Sequence, residues 1–241
     1  KNFLSFEGSK FFRITFLLTQ LVGHYHYLYN ILLIIVLIKS FILGEKNGFS
    51  AQNNLFFFLF ITVLVEGYSF VVDKIDESIL IGLQYNLYLI FVTVFFYFFY
   101  SKNFYSKISK ALSKILLLIC LLFIIFFTKF LGLDFDEKIA IAVMLFLIIH
   151  SIIWYYNKLF SVNDDEIFND PNFWISSGLL LWSCFGIFRC LPMYYFYNND
   201  KEFSNFIKSN FDVVNIILYL SIFISLSKYE HNFKRGTTSN N

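Results

Sequence analysis

Long uncharged apolar runs, repeated along the chain, constrain this sequence more than any motif. "ILLLICLLFIIFF", from Ile115 to Phe127, is one, and "ILLIIVLI", from Ile31 to Ile38, is another. A helix needs roughly 20 mostly apolar residues to cross about 30 Å of hydrocarbon. Reading for such lengths gives seven candidates, at 25–43, 54–73, 79–100, 113–132, 138–160, 172–196 and 211–228. Strands that cross a membrane alternate apolar and polar residues, and these runs do not alternate. In lipid, only helices and closed barrels satisfy every backbone group. The predicted fold is therefore all-α, a polytopic transmembrane helix bundle with seven spans.

Composition agrees. Hydrophobic residues make up 58% of the 241 and charged residues 15%, whereas a soluble domain averages about 45–50% apolar and about 25% charged. The net charge of +2 and the scattered Lys and Arg give no basic groove, so nucleic acid is excluded as an expected partner. Cys120, Cys184 and Cys190 lie in apolar segments and are odd in number. They predict neither a disulfide framework nor a C-x-x-C metal site.

Three segments follow. Residues 1–24 form an N-terminal amphipathic or interfacial segment, in which "FLSFEGSKFFRITFLLTQLV" either lies on the membrane surface or extends the first span. Its apolar start at Phe11 grades into that span, so no cleaved signal peptide is expected. Residues 25–228 are the seven-helix domain and 229–241 a polar C-terminal tail. Asp170-Pro171 suits a helix start, with Asp as cap and Pro in the first turn, and Pro192 kinks or ends the same span. Lys102, Lys107, Lys110 and Lys114, with Lys228, Lys234 and Arg235, put a small basic excess on the tail side. By the positive-inside rule the N-terminus is outside and the C-terminus inside.

Function shows itself only where polar residues break the pattern. An ionisable group inside a span is costly and marks a candidate site; Glu66 and Arg189 are the clearest. Glu66 lies about 12 residues, roughly 18 Å, into the second span, and Arg189 about 17 residues, roughly 25 Å, into the sixth. The two spans run in the same direction, which places both charges in one leaflet and predicts an intramembrane ion pair. Thr62, Glu66, Ser69 and Asp73 form one helical stripe. Gly178, Trp182, Gly186 and Arg189 form another, on which glycines let a second backbone come close. Gln84 and Asn86 in the third span and Asp212, Asn215 and Tyr219 in the seventh add polar faces. Together they line either a small ligand pocket open to the outer side or a packing contact that only fixes the bundle.

His150, with Trp154 and Asn157 on its face, reads as a hydrogen-bonded packing residue, as do Asn215 and Tyr219. His24 and His26 sit two residues apart and cannot share a metal; the surrounding tyrosines read as an interfacial belt. Asp164, Asp165, Glu166 and Asp170 read as a solvated loop and a helix cap. No nucleotide-binding or hydrolase motif occurs. No catalytic residue, metal or cofactor is expected.

Beginning at "PNFWISSGLLLW", the chain resembles a group of multi-spanning proteins of Bacteroidota whose late span opens Pro-x-Phe-Trp-Ile before a Gly-Leu-Leu run. "NLFFFLFITVLVEGYSF" is similar to that group's second span, and "YNLYLIFVTVFFYFFYS" to its third. The likeness covers residues 27 to 228 and implies a seven-span inner-membrane protein without implying an activity. Arg189 departs from the uncharged residues of that group at its depth. The phenylalanine-rich composition also resembles organelle-encoded subunits of respiratory complexes, which would place the chain in the mitochondrial inner membrane.

The function expected from these readings is a sensor-like or partner-binding membrane module. The alternatives are a structural or accessory subunit of a larger membrane complex, and then a channel or transporter. The expected partners are the lipid bilayer and, within it, other proteins or further copies of the chain.

Overall fold

The computed structural model describes residues 25, 27–75, 82–160, 167–191 and 200–238, with the side chains at 73–74, 201–202, 204–205, 208–209 and 236–238 excepted. Among the described residues there is no strand, and seven helices are long and apolar enough to cross a membrane. They are α1 (Tyr27–Asn47), α2 (Leu55–Ile75), α3 (Gly82–Asn103), α4 (Lys107–Phe127), α5 (Glu137–Leu159), α6 (Pro171–Cys190) and α7 (Lys201–Thr238). The protein is an all-α, multi-pass membrane bundle.

Local chemistry sets most helix ends. Asp170 accepts the Asn172 N–H at 2.9 Å and Pro171 occupies the first turn of α6, where the missing N–H costs nothing. Ser106 caps α4 and Asp136 caps α5 in the same way. The Ser106 cap starts α4 at Lys107 and not at 113, so Lys107, Lys110 and Lys114 are helical and exposed. The same helix stops at Phe127, before the turn at 128–136. The sixth helix ends at Cys190, short of the expected 196. The seventh begins ten residues before the expected 211 and continues to Thr238, so residues 229–238 extend a helix.

The helices pack as neighbours in sequence. The most extensive pairing is α6 with α7, then α5 with α6; α5 also contacts α3 and α4. Gly178 makes the α6–α7 approach possible, since a Cβ there would lie 2.9 Å from the Ser221 Cβ. Gly186 makes room for the Met144 thioether of α5. Half of the spanning part of α5 and α7 is buried but only 17% of α4, so α4 is the peripheral helix. Its exposed Ile115, Leu118, Ile119, Leu122 and Phe126 face hydrocarbon, where an apolar surface is at home.

The core is aromatic and tied by few polar bonds. Tyr100 is fully buried; its hydroxyl contacts Ser151 of α5 at 3.0 Å and donates to Ser176 of α6 at 3.2 Å. His150 is also fully buried. Its Nδ1 lies 2.9 Å from the Phe146 carbonyl and its Nε2 2.8 Å from the Ser113 hydroxyl of α4. A carbonyl only accepts, so Nδ1 carries the proton and Nε2 accepts from Ser113.

Each end of the bundle has its own lacing. At one, Asn53, held at φ 56°, donates to the Tyr229 hydroxyl of α7 at 2.5 Å and to Asn103 of α3 and Asn172 of α6, both at 3.3 Å. The Tyr229 hydroxyl donates to Asn172 at 2.7 Å. At the other end, Asn86 of α3 holds the 128–136 turn, and Gly82 lies so close that a Cβ would fall 2.1 Å from the Phe135 nitrogen. A short 3-10 turn, Phe49–Gln52, joins α1 to α2; the buried Gln52 donates to the Ser40 carbonyl at 2.7 Å and accepts from the Ser40 hydroxyl.

Candidate functional site

The polar stripe of α2 faces α1 and α3. Thr62 donates to the Phe58 carbonyl at 2.7 Å and meets the Tyr88 hydroxyl of α3 at 2.9 Å. Ser69 donates to the Val65 carbonyl at 3.1 Å. Gln84 of α3 reaches across to Val65 O at 2.7 Å and Ser69 Oγ at 2.9 Å. Between them Glu66 accepts a hydrogen bond from the Tyr29 hydroxyl of α1 at 3.1 Å. Tyr29 stacks on Tyr219 of α7, ring centroids 6.5 Å apart. Arg189 of α6, Asp212 and Tyr219 of α7 and Tyr88 of α3 all stand within electrostatic range of the Glu66 carboxylate.

Five helices thus bring two carboxylic acids, three phenols and one guanidinium to the neighbourhood of Glu66. Among the described residues no Lys, Arg or His nitrogen lies within 4.0 Å of Glu66. The expected Glu66–Arg189 ion pair does not form at that distance. Depth explains it: Glu66 is 11 residues into α2 and Arg189 18 residues into α6, an offset of about 10 Å along parallel helices at 1.5 Å per residue. Arg189 rests instead over the Phe211 ring of α7, 4.7 Å from its centroid, a cation–π contact. Two turns back, Trp182 donates to Asn215 Oδ1 at 2.8 Å.

Glu66, Ser69, Gln84 and Tyr219 therefore belong to one region, while Trp182 and Asn215 lie along the α6–α7 seam with Arg189, which acts on Glu66 from beyond 4.0 Å. His150 stands apart, enclosed by α3, α4 and α5, with both ring nitrogens engaged. The Asp73 side chain, His24, His26, Asp164, Asp165, Glu166, Pro192 and residues 1–24 fall outside what the structure describes. Cys120, Cys184 and Cys190 are free thiols. Among the described residues no three His, Cys, Asp or Glu side chains gather as a metal site would require.

Tyr29 is not singled out by sequence, because the stretch "HYHYLYN" has the composition of an interfacial belt. Its spacing from Tyr25 is a helical turn, but nothing local marks a hydroxyl aimed at a carboxylate 37 residues away. Compared with known protein families, curated proteins and solved structures, the chain matches none. Fold and site define its class: an integral membrane bundle of seven helices with an acid–tyrosine cluster inside one half.

Proposed function

We propose that this membrane protein is a sensor-like module whose responsive element is the Glu66 cluster, and that the ligand class it fits is a small organic ammonium ion. The observation that carries the reading is the Glu66 carboxylate itself, bonded to the Tyr29 hydroxyl with no cationic side chain within 4.0 Å among the described residues. A carboxylate flanked by phenol rings combines charge neutralisation with cation–π attraction, the combination that recognises alkylammonium groups. Tyr29 and Glu66 lie on different helices, so a ligand that takes the place of their hydrogen bond would shift α1 against α2. The module would pass that shift to a partner protein in the same membrane.

The test is thermal unfolding of the purified full chain in micelles, with ethyl-, butyl- and tetraethylammonium as probes. Stabilisation of the wild type by at least one probe, absent in Glu66→Gln, is expected. No stabilisation by any of them, or an equal shift in Glu66→Gln, would sink the reading.

A further inference from the structure

A second feature lies outside the Glu66 cluster. Between the last turn of α6 and the first third of α7 runs a cleft of about 350 Å³, lined by Phe185, Phe188, Phe203 and Phe211 with Arg189 and Asn210. We propose that this cleft binds one anionic phospholipid, its phosphate on Arg189 and an acyl chain along the phenylalanines.

Three observations carry the assignment. First, Arg189 has no carboxylate within 4.0 Å among the described residues, and its guanidinium carbon lies 4.7 Å from the Phe211 ring centroid. A guanidinium over a ring can still offer N–H groups to phosphate oxygens, which it pairs in bidentate fashion. Second, Arg189 lies in the last turn of α6, the level where a spanning helix meets the headgroups. Third, Phe188 and Phe185 are 73% and 51% exposed, so the wall below the cation is apolar and open sideways to hydrocarbon. A soluble anion would use the arginine but leave that wall unused. A phospholipid uses both.

The experiment compares dioleoyl phosphatidylglycerol with dioleoyl phosphatidylcholine on the delipidated full chain, by native mass spectrometry and by thermal unfolding. One cation near a headgroup contributes about 1 kcal/mol, so the wild type is expected to prefer phosphatidylglycerol about fivefold. Arg189→Lys should keep most of that preference and Arg189→Gln should lose it. Phe188→Ser should weaken both lipids and leave their ratio unchanged. Equal binding of the two lipids by the wild type overturns the proposal, and that arm needs no variant to fold. An undiminished preference in Arg189→Gln overturns it as well. So does full stabilisation by glycerol 3-phosphate, which would mark a soluble-anion site, or displacement of the lipid by a second copy of the chain.

Discussion

Asn86 and Asp136 hold one turn of the chain between them. Asn86 Oδ1 accepts the Asp136 N–H at 3.0 Å and its Nδ2 donates to the Asp134 carbonyl at 2.9 Å. The Asp136 carboxylate accepts from the backbone of Lys129 at 2.8 Å and of Lys138 at 2.9 Å. One amide and one carboxylate thus satisfy much of the backbone where α4 turns into α5. Asn86→Ala leaves the turn's N–H and carbonyl without partners and should cost about 2–4 kcal/mol in reversible unfolding in mixed micelles. Asn86→Asp keeps the acceptor but buries a charge and sets a carboxylate oxygen against the Asp134 carbonyl, so it should be no more stable than the alanine variant.

Two glycines separate close approach from open surface. At Gly82 a methyl group would collide with the backbone of residues 133–135, and backbone cannot step aside as a flexible side chain can. Gly82→Ala should therefore destabilise by about 2–3 kcal/mol. At Gly67 nothing lies within 4 Å of where a methyl group would stand, so Gly67→Ala should be neutral or gain up to about 1 kcal/mol from helix propensity. Equal melting temperatures for the two variants would contradict the α3–turn contact.

The geometry around Glu66 predicts which partner it feels most. Tyr29 is in hydrogen-bond contact, whereas Arg189 is not within ion-pair distance. In double-mutant cycles, Glu66→Gln should couple to Tyr29→Phe by about 0.5–1.5 kcal/mol. Its coupling to Arg189→Gln should be smaller. The reverse order would restore the ion pair as the principal contact.

His150 joins α5 to α4 as a hydrogen-bond acceptor. His150→Phe keeps a ring among Phe146, Tyr100 and Phe104 but leaves the buried Ser113 hydroxyl only the long 3.4 Å contact with Ser101, at a cost of about 1 kcal/mol. Adding Ser113→Ala should recover part of that loss. The tautomer is checkable by nitrogen-15 NMR, which should find the proton on Nδ1.

Seven spans are legible because hydrophobic length is a property of each segment by itself. The α6 start is legible too, since Asp170 and Pro171 act within one turn. Boundaries slip where charged or polar residues remain helical: the lysines at the head of α4 and the polar stretches flanking the spanning part of α7. At the site, sequence points to Glu66 and Arg189 as conspicuous charges but cannot rank their neighbours. A register difference of a few residues between α2 and α6 decides whether acid and base meet. The phenol that does reach Glu66 is one of 16 tyrosines, chemically like the rest. The Asn53 lacing is equally hidden, since it joins side chains from four parts of the chain that no local pattern connects.

The length of α7 has a mechanical consequence. Its 38 residues extend about 57 Å at 1.5 Å per residue, nearly twice the hydrocarbon thickness of about 30 Å. Such a rod emerges from the bilayer and is seated in its middle part against α6 at the Gly178–Ser221 crossing. Rocking about that fulcrum would swing its two ends in opposite directions. One unbroken helix spans more than the hydrocarbon depth, with its tightest seat near its midpoint.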